Sequence, residues 1–384
     1  MATYDLTRTQ LGGLLDGTGY VDPGVRDQIL AMLEDAGVYT GDPDSTAHTS
    51  AVPDGEPPDT DSDAVVYNDA SGFTGVPPDA TAVVFATSDD VIAAIGGPGD
   101  KIVVSGDGDD VILMTETGDD QVYGGAGDDV LSGGRGDDQL HGEEDDDVLL
   151  GDNGDDSLFG GTGNDTEVGG QGDDFADGGE GDDLMIGGKG ADSLDGGAGA
   201  DQGYGGDGAD TLFGSGGHDT VAGGYGQDNV DGGEGDDLIY GGDDADALLG
   251  GAGNDSVMAG TGSDTVDAGI GEDVVLGGDG NDFLVGGDGS DTIWAGTGND
   301  TVVGGANADD LHGGVGNDLF LGSQGDDTID GGAGDDALDL TDRSFGDATI
   351  TTSAGVTTIA FGDGTDITVK SIETVQFSDH TLNL

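Results

Sequence analysis

From Gly124 to Asp339 the chain repeats one nine-residue unit twenty-four times without a change of register. The first copy reads GGAGDDVLS and the last GGAGDDALD. Position six is Asp in every copy, from Asp129 to Asp336, and position eight is Val, Ile, Leu, Met or Phe in all but three. Nine residues cannot bury their own apolar side chain. Each copy must stack on its neighbours, so the period predicts a solenoid rather than a set of compact cores.

The charge balance is extreme, with 7 basic against 83 acidic residues and a net charge of −76. Within the array only Arg135 and Lys189 interrupt the acidity. Such a surface repels nucleic acid and attracts cations. Acidic, glycine-rich chains are usually disordered, and halophilic surfaces are acidic too, but neither explains an acid that returns every ninth residue. Periodic cation binding does. The chain has no Cys, which excludes disulfides and thiolate metal sites. The opening MATYDLTRTQLGGLLDGTG lacks the apolar core of a cleaved secretory signal. No run approaches the roughly 20 apolar residues of a membrane span.

Residues 1–39 read as a small N-terminal segment with a helix over 23–36, where Val25, Ile29, Met32, Leu33 and Ala36 share a face. Asp22 suits its N-cap, Pro23 its first position and Gly37 its end. Residues 40–63, rich in Pro, Asp, Ser and Thr, read as a flexible acidic linker. Residues 64–123 read as a β-rich N-terminal cap with degenerate repeats: GGPGDKIVV at 96–104, SGDGDDVIL at 105–113, one inserted residue (Met114) and TETGDDQVY at 115–123. Residues 124–339 are the strict array. In 340–384 the runs ATITT, TTIAF, DITVK and ETVQF alternate as strands, expected to form a β cap over an edge that would otherwise be adhesive.

Each repeat is expected to split into a six-residue turn and a three-residue strand. Glycines at positions one, two and four permit positive φ and close backbone approach, so carbonyls can converge, while the position-six Asp adds a carboxylate. An all-oxygen, flexible donor set suits Ca²⁺ better than Mg²⁺ or a transition metal. Only position eight of the strand points inward, which accounts for its apolar character. Same-side aspartates one strand spacing apart repel by about 0.9 kcal/mol per pair even in water. Without cations the array should therefore stay unfolded, making binding and folding one event.

The chain resembles the hemolysin-type calcium-binding repeat (RTX) family, whose motif is GGxGxDxUx. The likeness covers 216 residues strictly and about 250 with the degenerate copies. It implies an all-β, right-handed parallel β-roll, a calcium-stacked solenoid in which two nonapeptides make one coil. Carried over position by position, it implies carboxylate ligands at Asp110, Asp120, Asp129, Asp138, Asp147, Asp156, Asp165, Asp174, Asp183, Asp192, Asp201, Asp210 and Asp219. The series continues through Asp228, Asp237, Asp246, Asp255, Asp264, Asp273, Asp282, Asp291, Asp300, Asp309, Asp318, Asp327 and Asp336. The cofactor is Ca²⁺, about one ion per nonapeptide. The family also implies a secreted, extracellular or cell-surface protein that leaves through type I secretion machinery, with an uncleaved signal in the tail.

Several copies depart from the pattern. Glu167, Ala176 and Gly203 replace the inward apolar residue, and the core around the first two should be thin. Asp145, Asp244 and Asn307 replace the fourth-position Gly; Asp and Asn tolerate left-handed backbone best among the alternatives. Taking every second repeat, position nine reads Leu150, Val168, Ile186, Tyr204, Ala222, Tyr240, Met258, Leu276, Trp294, an uninterrupted apolar row. If it faces outward it is a surface for self-association or a matrix partner, or a dock for the 23–36 helix.

No catalytic constellation is present. His48, His141, His218, His312 and His380 lack ligand spacing and suit solvated or turn positions. HExxH, GxSxG and phosphate-loop motifs are absent. Position three varies too widely to form a flat ice-binding row of Thr and Asn. The reading is a calcium-binding structural or adhesive protein that is not an enzyme, binds no nucleic acid and spans no membrane. The competing reading, a secreted enzyme or toxin using the roll only for export and folding, would need an active domain within residues 1–95.

Overall fold

The computed structural model describes residues 64–67, 82–87, 91–96, 99–115, 117–322 and 324–384. The helix expected at 23–36 and the linker at 40–63 lie outside the described residues. The chain divides into two units, Met1–Ser193 and Leu194–Leu384. Each is an all-β parallel solenoid built by the same rule.

In the first unit, successive strands alternate between two parallel sheets. One sheet runs through Ile102–Asp107, Gln121–Ala126, Gln139–Glu144, Ser157–Thr162 and Phe175–Glu180. The other runs through Ile92–Ile95, Val111–Met114, Val130–Arg135, Val148–Asn153, Thr166–Gln171 and Leu184–Lys189. Partners in the array are two repeats apart, as in Leu140↔Leu158 and Leu149↔Glu167. Where a coil includes the extra Met114 the spacing grows by one, giving Val103↔Val122 and Ile112↔Leu131. The insertion is absorbed at the end of its strand, with Met114 buried.

The second unit repeats this plan. Thr220↔Leu238, Leu238↔Ser256 and Ser256↔Val274 run along one sheet, and Asn229↔Ala247 and Ala247↔Thr265 along the other. At its far end Val356–Phe361 pairs antiparallel with both Ala348–Ser353 and Asp366–Lys370. The chain then returns to the parallel stack: Asp366–Lys370 pairs with Thr328–Ala333, and Thr374–Phe377 with Ala337–Leu340.

The division of the repeat differs from the six-plus-three expectation. Most strands are six residues long and cover positions seven, eight, nine, one, two and three. Positions two and three pair with the next coil as well, as in Gly161↔Gly179 and Thr162↔Glu180. Only positions four to six remain for the turn. The typical burial along such a strand alternates, with positions eight and one inward and seven and nine outward. Leu140, Leu158, Val257 and Ile293 are fully buried at position eight, each contributing at most about 1.5–3 kcal/mol.

The interior is not thin at Glu167. Its side chain fills the position-eight slot, completely buried between Leu149 and Met185 of the neighbouring coils. The open slot is instead at Gly203, where a Cβ would meet only Leu212 and Val221, each at 3.7 Å.

Candidate metal centre

Two hydrogen-bond ladders run along the turns. In the inner one, the Oδ1 of each position-six Asp accepts from the backbone N–H of the equivalent residue one coil earlier: Asp129 to Asp147 at 2.8 Å, Asp147 to Asp165 at 2.8 Å, Asp219 to Asp237 at 2.9 Å. The outer ladder uses position five in the opposite sense. Asp137 Oδ1 accepts from the Asp155 N–H at 3.0 Å, and Asn281 Oδ1 from the Asn299 N–H at 2.8 Å. The backbone N–H of position seven donates to the carbonyl of the preceding coil's position six, as in Val148 to Asp129 at 2.8 Å.

The position-six carboxylates are buried, and in many of them the second oxygen has nothing to accept from. Oδ2 of Asp129, Asp138, Asp147, Asp156 and Asp165 in the first unit is buried without a hydrogen-bond partner. The same holds for Asp219, Asp237, Asp255, Asp273 and Asp291 in the second. Orphaned buried carboxylate oxygens cost several kcal/mol each unless something positive meets them. Burial accordingly pushes these acids up, to about 8 for Asp129, about 9 for Asp147 and about 8 for Asp156, against the opposing pull of the ladder N–H. Neighbouring carboxylates add to the rise. In the second unit Asp219, Asp246 and Asp309 reach about 7 for the same leading reason.

Glycine serves two different ends around this oxygen. Positions two and four do adopt positive φ, for example Gly161 at 118° and Gly163 at 137°. Position one does not; there the close-approach half of the expectation applies. The residue is small because the carboxylate and the next coil lie against it: a Cβ on Gly160 would strike Asp165 Oδ2 and come within 2.7 Å of the Gly178 carbonyl oxygen. Asp145, Asp244 and Asn307 hold the fourth-position geometry with φ of 78°, 76° and 79°. Glu143, Asp152 and Ser215 do the same at position two.

The degenerate copies and the tail belong to the same ladders. Asp110 Oδ1 accepts from the Val91 N–H at 2.6 Å, and Asp120 Oδ1 from the Lys101 N–H at 2.7 Å. At the other end Glu373 Oε2 accepts from the Asp336 N–H at 2.8 Å. Glu373 was not among the sequence candidates. Its signal was the pattern acid–x–apolar–x in Glu373–Gln376, the same as in Asp336–Asp339.

Among the described residues no three His, Cys, Asp or Glu side chains converge as a cation cage. Any donor set in these turns must therefore draw on backbone carbonyls beside the carboxylates, which is hard-cation, calcium-like chemistry. His141 and His312 are not in turns but in strand ladders, His141 stacked between Tyr123 and Phe159 at 4.6 and 4.7 Å and His312 on Trp294 at 5.6 Å. His218 does lie in a turn and joins the outer ladder, its Nδ1 accepting from the Asp236 N–H at 2.8 Å.

The RTX calcium-binding nonapeptide repeat model matches the chain in successive overlapping copies spanning residues 95–341. The chain belongs to that family. Its array is a calcium-binding RTX β-roll. No curated protein matches it. Among solved structures it is similar to a hyperactive, Ca2+-dependent, beta-helical antifreeze protein from an Antarctic bacterium, at 18% identity over 83% of this chain and 94% of that one. The TM-score is 0.32, too loose a likeness to argue from.

The outward position-nine row of the RTX array is not uniformly exposed. Leu150 and Val168, expected to open an exposed stripe, are buried, as are the outward Val130 and Val148 beside them. In the second unit the row is accessible: Tyr204, Leu276 and Trp294 are exposed, and Ala222, Tyr240 and Met258 are half-buried.

Proposed function

We propose that this chain is an extracellular structural or adhesive protein whose roll folds on binding Ca²⁺ and which carries no chemistry of its own. The supporting observation is the row of buried position-six carboxylates, such as Asp129, Asp147, Asp165, Asp219, Asp237 and Asp255, whose Oδ2 atoms lack any donor. We assign the ligand role to those aspartates, Asp110 through Asp336, together with turn carbonyls. Calcium would supply the positive charge that burial demands, and this chain's residues would hold it by spacing the carboxylates one coil apart. Low cytosolic calcium would keep the array threadable through type I secretion machinery, and millimolar external calcium would fold it. The tail, Leu340–Leu384, would close the stack and carry the export signal.

The adhesive part of the reading rests on the second unit. From Tyr204 to Trp294 the position-seven and position-nine residues of that sheet include no charged side chain, in a chain with 83 acids. A second copy of this face can approach there without meeting like charge. Tyr240→Glu with Leu276→Glu tests it by light scattering in millimolar calcium. The double variant should remain monomeric where the parent assembles; equal assembly removes the adhesive reading and leaves calcium folding intact.

A further inference from the structure

We propose that Lys101 is a tethered cation that takes the place of calcium at the turn between Ile92–Ile95 and Ile102–Asp107. The proposal rests on the calcium reading above and deepens it. In the copy GGPGDKIVV, Gly96–Val104, position six is Lys101 rather than Asp. The described residues around it keep the turn geometry of the array. Gly99, at position four, has a φ of 90°. The Lys101 N–H donates to Asp120 Oδ1 at 2.7 Å, and its carbonyl accepts from the Gln121 N–H at 2.8 Å, as an Asp would. The outer ladder is intact as well, with Asp100 Oδ1 accepting from the Asp119 N–H at 3.1 Å.

The side chain is where it differs. Lys101 is only 3% exposed, an unusual degree of burial for an ammonium-bearing residue. Its Nζ donates to the Gly99 carbonyl at 3.0 Å. Thus a positive charge lies on a turn carbonyl, one of the two donor types that the calcium reading uses.

A covalently held charge needs no external ion. The neighbouring coils containing Val103 and Val122 should therefore keep structure in chelator when the strict array does not, and offer a stacking edge once calcium arrives. The full chain is compared with Lys101→Asp and Lys101→Met. In chelator, hydrogen exchange over 102–107 and 121–126 should be slow in the parent and at least tenfold faster in both variants. In calcium, native mass spectrometry should show one more bound ion in Lys101→Asp than in the parent, and no gain in Lys101→Met. Equal exchange in the parent and both variants overturns the proposal, as does an unchanged ion count in Lys101→Asp. The exchange arm needs no bound metal, so it reads Lys101 even if the array proves not to take calcium.

Discussion

At the scale of single residues, the interior row shows how far a repeat tolerates faults. Glu167 is fully buried with both carboxylate oxygens unpartnered, and burial drives its carboxyl far above the usual range. Asp165 and Asp183 add like charge. Replacing it with Leu removes a desolvated acid and restores the row, and should stabilise the calcium-loaded protein by about 1–3 kcal/mol. Thermal unfolding in excess calcium reads this directly. Gly203 is the complementary fault, a missing side chain with room for one. Its backbone is not left-handed, so Gly203→Ala should add about 0.5–1 kcal/mol through contacts with Leu212 and Val221 and lower unfolded-state entropy. A lower Tm for either variant would show that the row is set by something other than packing.

At the scale of the element, the turn couples a hydrogen bond to a charge within one carboxylate. Asp237 Oδ1 holds the Asp219 N–H while Oδ2 is left for a cation. Asp237→Asn keeps the acceptor and removes the charge; Asp237→Ala removes both. Calcium affinity should fall in both variants. In metal-free solution at low pH, only Asp237→Ala should lose stability, by about 1–3 kcal/mol, because it strands a buried N–H. Isothermal calcium titration and metal-free melting separate the two effects. The repeat itself was legible in the sequence because one residue type recurs at one spacing, and position eight reports the inward direction unaided. Three features were less legible. Gly160 reads as serving either positive φ or close approach; it serves close approach, and sequence cannot show which atom approaches it. The strand runs through positions one to three because backbone pairing needs no apolar side chain to announce it. Glu373 continues the ladder from a segment where the period has already stopped.

At the scale of the whole molecule, an acidic chain of this kind is held apart by its own interior until that charge is met. Protons can do part of what calcium does. Folded, metal-free Asp129, Asp147, Asp156, Asp219 and Asp246 titrate at about 7 to about 9, well above the ordinary carboxylate value near 3.9 of an unfolded chain. The folded form therefore binds more protons than the unfolded one. This stability is fully present below the unfolded value and is lost as pH rises through about 7 to about 9. Calcium-free protein should gain β structure on acidification from pH 9 to pH 5, by circular dichroism, and calcium affinity should weaken over the same interval because protons compete for the ligands. The central claim is tested most directly by titrating calcium into metal-stripped protein near pH 8.5 at low ionic strength, following the β-sheet signal. The account predicts little sheet signal before addition and a steep gain that saturates with many ions bound per chain. A full sheet signal in the stripped protein, unchanged by calcium, would contradict it.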